Sequence, residues 1–315
     1  MSDPSNQQIQ CGFINRSVKG HVRKVSAILY SNRAIITNGR FPSVAMIHDK
    51  EWMEYDSPLN IEGLRQALTQ SRIGADLLSY PSPFPFGGDF LPYYYDWDNA
   101  AVVPTDTFEN WWDGLSQDTR RNIRRAGKKG VEVRDVPFSD ELVEGISSIY
   151  NETRIRQGRR FWHYGKELEQ VKDENGTFAE RSQFFGAYLN DELIGFLKMV
   201  RVNGTGRIMQ ILSSSRHTDK RPQNALIARA IQFCAESSLT HLIYCKYDYN
   251  GKRNSSLTEF KRRSGFTKHL FPNYYIPLSR TGELCLSLNL HRGLRNLIPD
   301  PVLDTAVAFR SFVCR

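Results

Sequence analysis

At 315 residues, with 40% hydrophobic and 24% charged residues, the chain has the balance of a folded protein and the length for two domains. No low-complexity tract suggests disorder, no apolar run reaches the roughly 18–20 residues that span a bilayer, and the opening MSDPSNQQIQ lacks the apolar core of a secretory signal. A cytoplasmic protein without an integral membrane segment is therefore expected. The formal charge of +8 and a pI near 9.2 favour an anionic partner, which charge alone does not identify. The five cysteines are scattered and show no metal-ligand spacing, so reduced thiols and no metal site are expected.

Along the chain, Val25–Tyr30 and Ala34–Thr37 read as strands parted by the turn-forming Ser31-Asn32 pair, and Val44–Ile47 as a third. Ile61, Leu64 and Leu68 share one face of a helix, and strand-like Ala75–Tyr80 follows. Residues 81–97, PSPFPFGGDFLPYYYDW, combine aromatics, prolines and a glycine pair, which predicts an ordered loop able to line a pocket or simply pinned onto the core. Phe108, Trp111, Trp112 and Leu115 predict a short amphipathic helix. A second runs from about Ser116 to Gly130, its αL cap, with Arg120, Arg121, Arg124, Arg125 and Lys128 forming a broad cationic face.

From residue 136 the pattern restarts. Ser139 is an N-cap candidate ahead of the apolar face Leu142, Val143, Ile146, Ile149 and Tyr150. Gln183–Leu189, Leu193–Val200 and Arg207–Leu212 predict an antiparallel meander with turns at Asn190-Asp191 and Asn203-Gly204. Then come a helix with Pro222 in its first turn, a strand at His241–Tyr247, a short helix opened by the capping-box sequence Ser256-Leu257-Thr258-Glu259 and closed by Gly265, and a last strand at Phe266–Leu278. Residues 282–315 have an interrupted amphipathic pattern (Leu294, Leu297, Val302, Leu303, Val307, Phe309, Phe312) that predicts packing on the core. Arg292, Arg295, Arg310 and Arg315 keep a peripheral membrane contact open for this segment.

Three segments together resemble one family. WWDGLSQDTRRNIRRAGKKGVEV is similar to the basic linker helix of the FemAB-type peptidyltransferases and their GNAT-like acyltransferase relatives. YNETRIRQGRR resembles their following helix at Tyr150, Thr153, Arg156 and Gly158, and KYDYNGKRNSSLTEFKRRSGF their late strand-loop-helix at Asp248, Leu257, Phe260, Lys261 and Gly265. The pair Gly87-Gly88 is similar to a glycine pair in the family's first domain. The resemblance implies an α/β (α+β) fold of two acetyltransferase-like (GNAT) domains in tandem, each a mixed, mostly antiparallel sheet flanked by helices. Their expected spans are 1–135, including the basic linker helix 116–130, and 136–281, with 282–315 as an extension.

The family joins an activated acyl or aminoacyl group to an amine. The resemblance thus implies an aminoacyl-tRNA or acyl-CoA donor, no tightly bound cofactor, and an amine acceptor on a cell-wall or polysaccharide precursor or a small molecule. Ordinary CoA users place a glycine-rich stretch before the helix that follows the meander; here stands Lys220-Arg221-Pro222-Gln223-Asn224-Ala225, without glycine, where Lys220 and Arg221 could hold phosphate by charge.

Aminolysis of an ester or thioester needs a neutral amine, stabilisation of an oxyanion and a proton for the leaving group. The candidates are Asp248 to position or deprotonate the amine, Tyr247 or Tyr249 as proton donor, and Lys261 or Arg253 to stabilise negative charge. The plain alternatives are a loop carboxylate paired with Arg253 or Lys252, and for Lys261 a solvated helix face. Donor phosphates would meet Lys220, Arg221, Arg253, Arg120, Arg121 and Arg124, unless the cationic face is merely solvated. The acceptor would meet Gly87, Gly88, Tyr150, Arg156 and Tyr164, the last two in a basic-aromatic cluster with His163. Three functions follow: acyl or aminoacyl transfer to an amine, a CoA-dependent N-acetyl or N-acyl transfer on the same fold, and a non-catalytic basic module for RNA or an anionic precursor.

Overall fold

The computed structural model describes residues 10–18, 21–31, 33–39, 41–48, 59–71, 73–84, 90–156, 158–249 and 255–292. In chain order the strands and helices are β1 (Gln10–Val18), β2 (His21–Tyr30), β3 (Arg33–Asn38), β4 (Val44–Ile47), α1 (Ile61–Gln70), β5 (Leu77–Pro81), β6 (Tyr94–Pro104), α2 (Phe108–Gly114), α3 (Gln117–Lys128) and β7 (Glu132–Val136). They continue with α4 (Asp140–Asn151), β8 (Ile155–Arg156), β9 (Arg159–Arg160), α5 (Leu168–Asn175), β10 (Ser182–Leu189), β11 (Glu192–Val202), β12 (Thr205–Ser213), α6 (Pro222–Glu236), β13 (His241–Ile243), α7 (Ser256–Arg263), β14 (Thr267–Pro277) and α8 (Arg280–Ser287).

The chain forms two compact units, residues 1–97 with 271–315, and residues 98–270. These boundaries differ from the expected break at 135. The basic helix α3 and strand β7 belong to the second unit, because α3 packs on α6 and β7 pairs with β10. Residues 271–281 belong to the first, because β14 pairs antiparallel with β5 through Asn273–Pro277.

In the first unit the strand order is β1-β2-β3-β4-β5-β14, antiparallel except for the parallel pair β4–β5, with α1 in the connection between those two. Asn60 caps α1 by accepting the Gly63 N–H at 2.9 Å, and Ile61, Leu64 and Leu68 bury against Ile28, Ile35, Leu78 and Ile276. In the second unit the order is β6-β13-β12-β11-β10-β7, antiparallel except for the parallel pair β12–β13, whose connection holds α6. The two units thus repeat one topology. In each, the strand pairing with the last parallel strand comes from a segment that crosses the unit boundary, at 97/98 in β6 and 270/271 in β14.

The central strands of the second unit are covered on both faces, so β11 is buried nearly throughout instead of alternating. Phe185, Leu197 and Met199 face the cluster built on α2, α3 and α6, whereas Phe184 and Phe196 face α4 and α5. Both meander turns place two successive residues at positive φ, Asn190 and Asp191 (50° and 63°) and Asn203 and Gly204 (47° and 67°), the conformation that matches strand twist in a two-residue hairpin. Ser116 caps α3 by accepting the Thr119 N–H, and Gly130 at φ 79° ends it with the Val131 N–H bonded to the Ala126 carbonyl at 3.0 Å.

Four sequence expectations need correction. Residues 94–97 are strand, not loop, because β6 starts at Tyr94. The first strand, Gln10–Val18, lacks a continuous apolar run and was not expected. The helix through Tyr150 ends at Asn151, and Ile155–Arg160 forms a hairpin turning at Gly158 (φ 72°). The strand expected to reach Tyr247 ends at Ile243.

Gly265 holds φ 85° immediately after α7, and a Cβ there would meet Trp111 Nε1 at 2.9 Å, where the indole N–H donates to the Ser264 carbonyl. Gly265→Ala is expected to lower the unfolding free energy by about 1–2 kcal/mol from the left-handed backbone alone, read from the midpoint of guanidinium denaturation.

Candidate active site

Parallel pairing between β12 and β13 covers only Thr205–Arg207 against His241–Ile243, while β12 itself continues to Ser213. Beyond Ile243 the chain stays on the other neighbour. The Tyr244 N–H donates to the Ala101 carbonyl at 2.8 Å and the Ala101 N–H to the Cys245 carbonyl at 2.9 Å, both on the β6 side. Cys245 then takes a left-handed φ of 45°. β12 and the β13 extension therefore part, and the opening exposes one edge of β12 from Ile208 onward to the residues that follow β13. The Cys245 thiol bridges the start of the opening, donating to the Ile208 carbonyl at 3.7 Å.

Asn99 of β6 then clips the loop. Its side-chain oxygen accepts the Asp248 N–H at 2.8 Å and its amide donates to the Asp248 carbonyl at 3.5 Å. This holds Asp248 buried, its Oδ2 accepting from Lys268 Nζ of β14 at 2.6 Å. Asp248 is therefore a paired anion, and its partner is a lysine that sequence reading did not connect to it.

Ser255 caps α7 by accepting the Thr258 N–H at 3.0 Å, one residue before the expected start, and Thr258 Oγ1 donates to the Tyr247 carbonyl. This ties α7 to the loop and drives Lys261 inward. Lys261 is fully buried, correcting the solvated-face alternative. Its ammonium donates to the Lys246 carbonyl at 2.5 Å and lies 4.3 Å from the Tyr244 ring centre and 5.1 Å from that of Tyr249. Burial pulls its pKa down to about 8, against the opposing influence of Cys245 and Asp248. Burial also pushes the Tyr249 hydroxyl up to about 12.

Lys198 is the second buried lysine of this unit, and it differs in kind. It spends its donors on the Asn175 carbonyl, the Thr177 carbonyl and Thr177 Oγ1, tying β11 to the end of α5. Lys261 has one such acceptor and two aromatic faces, so its proton inventory can change without dismantling a strut.

The structure thus brings Tyr247, Asp248, Tyr249 and Lys261 into one cluster. A second cluster lies along β12: Gln210 Nε2 donates to Tyr150 Oη at 2.6 Å, and Arg156 Nη2 to the Ser213 carbonyl at 2.7 Å, with its guanidinium over Phe161. The His163 ring lies 4.3 Å from that of Tyr150, tilted by 37°; burial first, then Lys166, pulls its pKa down to about 4. The Tyr164 N–H donates to the Phe161 carbonyl at 3.3 Å, while its ring lies under the Arg154 guanidinium. Lys220 and Arg221 stand at the start of α6, where Asp219 accepts from Lys129 at 2.7 Å and pairs with Lys220 at 3.6 Å. On α3, Arg120 pairs with Asp113 and Arg121 with Asp118, both at 3.6 Å, and Arg124 covers Trp112. Gly87, Gly88, Arg253 and the apolar residues from Leu294 onward lie outside the described residues.

No known family model matches the sequence, and no curated protein matches it significantly. Solved structures do match. The chain is similar to FemX at 12% identity, over 88% of this chain and 90% of that one, with a TM-score of 0.54. It is similar to the C-terminal domain of a putative lysylphosphatidylglycerol synthetase from Agrobacterium fabrum at 12% identity, over 84% and 88%, with a TM-score of 0.54. A third match is L-PGS from Bacillus licheniformis, at 13% identity over 82% and 84% with a TM-score of 0.52. The chain shares the fold of FemX and of these lysylphosphatidylglycerol synthetase domains. Tyr244, Cys245, Asn99, Lys268 and Gln210 build the two clusters and were not among the candidates read from the sequence. Only the aromatic run around Cys245 carried a signal, its place at a strand's carboxyl end.

Lys261 titrates from its ordinary value near 10.5 in the unfolded chain and about 8 in the folded one. Between these values the unfolded chain binds more protons, so this group's contribution to stability rises with pH from about 8 upward. Thermal melts at pH 7 and pH 9.5 should therefore show wild type gaining stability relative to Lys261→Met as pH rises.

Proposed function

We propose that this chain is an acyl or aminoacyl transferase that forms an amide bond on an amine acceptor, with the opening between β12 and the β13 extension as its reaction site. The observation that carries this reading is the buried Lys261, which donates to the carbonyl of Lys246, just beyond the point where the parallel strands part, and faces the rings of Tyr244 and Tyr249. Two acetyltransferase-like domains in tandem are the reading supported by the repeated order of meander, helix and parallel strand in the two units.

In the reaction the amine nitrogen attacks the carbonyl carbon of the activated ester or thioester, a tetrahedral oxyanion forms, and the C–O or C–S bond breaks as the leaving group takes a proton. Lys261, near its midpoint at about pH 8, serves as a cation facing the oxyanion. Tyr249 remains protonated and can supply the leaving group's proton, regaining one from the attacking amine nitrogen, so that the net transfer is of the amine proton to the leaving alcohol or thiol. Asp248, fixed by Asn99 and Lys268, orients the incoming amine. Tyr150 and Arg156 contact the acceptor along β12.

For the donor, aminoacyl-tRNA is the preferred reading, supported by the exposed Arg121, Arg124, Arg125 and Lys128 on α3. A CoA thioester is the alternative, supported by the strand opening that precedes α6, with Lys220 and Arg221 beside the phosphates. As the lysylphosphatidylglycerol synthetase similarity concerns a protein named for a lipid product, a lipid acceptor belongs in the same screen.

Incubation with charged tRNA or acyl-CoAs and an amine panel should give an acceptor with the mass of the added acyl group. Lys261→Met should lower kcat by about 10²–10⁴ with KM little changed, and Asp248→Asn should lower kcat as well. Undiminished turnover in Lys261→Met would overturn the site. Binding of charged tRNA should weaken steeply with salt, and the double variant Arg124→Ala, Arg125→Ala should flatten that slope by about two phosphate contacts. Micromolar CoA binding without any tRNA preference would transfer the donor role to the thioester.

A further inference from the structure

The proposed reaction uses Lys261, Tyr249 and Asp248 and leaves the thiol beside them without a task. Cys245 stands where the chain leaves β12, at a left-handed φ of 45°, and the residue is exposed there. Its sulfur turns inward across the opening, 3.7 Å from the Ile208 carbonyl of the opposite strand. Lys261 is held against both chain neighbours of this cysteine: the ammonium lies 4.3 Å from the Tyr244 ring centre and donates to the Lys246 carbonyl. On the β12 side, the residue before Ile208 is the buried Arg207. Two cations therefore act on the thiol within the reaction site, the setting in which a cysteine can serve as a nucleophile.

The other described cysteines are placed differently. Cys234 is packed in the core with its thiol 3.6 Å from Met199 Sδ, and burial pushes it up to about 12. Cys285 is buried in α8, where burial and then the anion Asp76 both raise its thiol. Cys11 lies in the edge strand β1 of the first unit. At Cys245 burial also raises the thiol, but Lys261 first and then Arg207 act against it. A cation beside the sulfur favours the thiolate that attacks and the oxyanion that follows.

We propose that Cys245 is the nucleophile of the transfer reaction and carries the acyl group as a thioester between donor and amine. The inference rests on the transferase reading and adds a covalent intermediate to it. In the first step the sulfur attacks the donor carbonyl carbon, an S–C bond forms and the donor C–O or C–S bond breaks. The thiol proton leaves with the departing alcohol or thiol by way of the Tyr249 hydroxyl. In the second step the amine nitrogen attacks the thioester carbonyl, an N–C bond forms, the S–C bond breaks and the amine proton returns to the sulfur. The thioester that the amine meets is then the one on Cys245. Sulfur suits this place because its acyl bond stays activated, whereas an acyl group on Lys261 would be a stable amide and would end the cycle.

The test incubates the full chain with acyl-CoAs or charged tRNA and no amine, and follows its intact mass. A donor that supports turnover should add one acyl group that maps to Cys245, is released by neutral hydroxylamine, and is discharged by the amine with formation of product. Initial rates against both substrates should give parallel double-reciprocal lines. Cys245→Ala and Cys245→Ser should each lower kcat by about 10²-fold or more, with circular dichroism melts checking that they remain folded. If neither variant folds, the wild-type adduct decides. Wild-type turnover without a hydroxylamine-labile adduct overturns the inference and leaves the transferase reading standing, as does undiminished turnover in Cys245→Ala. An adduct that resists hydroxylamine and maps to Lys261 overturns it too. Absence of product from every donor and amine overturns the transferase reading, and the thioester with it.

Discussion

The site in the second unit depends on where the main chain finds its hydrogen-bond partners after Ile243. A buried backbone amide or carbonyl must be paired, and a strand leaving a parallel neighbour would ordinarily orphan a row of such groups. Here β6 takes them: Ala101 serves both Tyr244 and Cys245, and Asn99 continues the ladder by side chain where the strand itself has ended. With its backbone satisfied on one side, the chain is free to leave β12 on the other. The left-handed Cys245 makes the departure abrupt, a conformation that costs of order 1–3 kcal/mol and persists because β6 and Asn99 fix both flanks.

The same strand explains why the two units repeat a topology yet are discontinuous in sequence. β6 follows β5 in the chain but pairs with β13, and β14 follows β13 but pairs with β5. A segment that leaves one meander therefore closes the other. Asp248 receives its lysine in this way: Lys268 lies at the start of β14, before that strand crosses into the first unit.

Charge in the second unit is sorted by depth. Arg121, Arg124, Arg125 and Lys128 keep their heads in solvent on α3, while Arg156, Lys198 and Lys261 are drawn inward, each to backbone carbonyls. A buried cation is tolerable where carbonyl dipoles and aromatic faces replace water, and its acidity then reports how completely they do so. Lys198 is saturated and structural. Lys261 is less completely satisfied, and burial draws its pKa down to about 8.

Local chemistry was readable before the fold was. The cap at Ser139, the helix start near Ser116, the left-handed cap at Gly130, the helix closed at Gly265, the two Asn-led hairpin turns and the helix opened by Pro222 all follow from interactions within a few residues, and the structure places them as the sequence predicts. Asp248 and Lys261 stood out because both follow a strand's carboxyl end in a segment resembling one family. The partners that give them their properties are distant in sequence. Asn99 is 149 residues from Asp248 and Lys268 is 20 residues on, while the burial of Lys261 depends on how far α7 sinks against Trp111. Hydrophobic period could not reveal that Tyr94–Trp97 is strand, because its aromatics and Asp96 do not alternate by polarity. The sequence by itself determined most of the helices, the meander with its turns, and the chemistry-bearing residue types, since these rest on short-range sterics and hydrogen bonds. Only the tertiary structure decided which strands close which unit and which lysine loses its water, since both depend on pairings between segments that the chain keeps far apart.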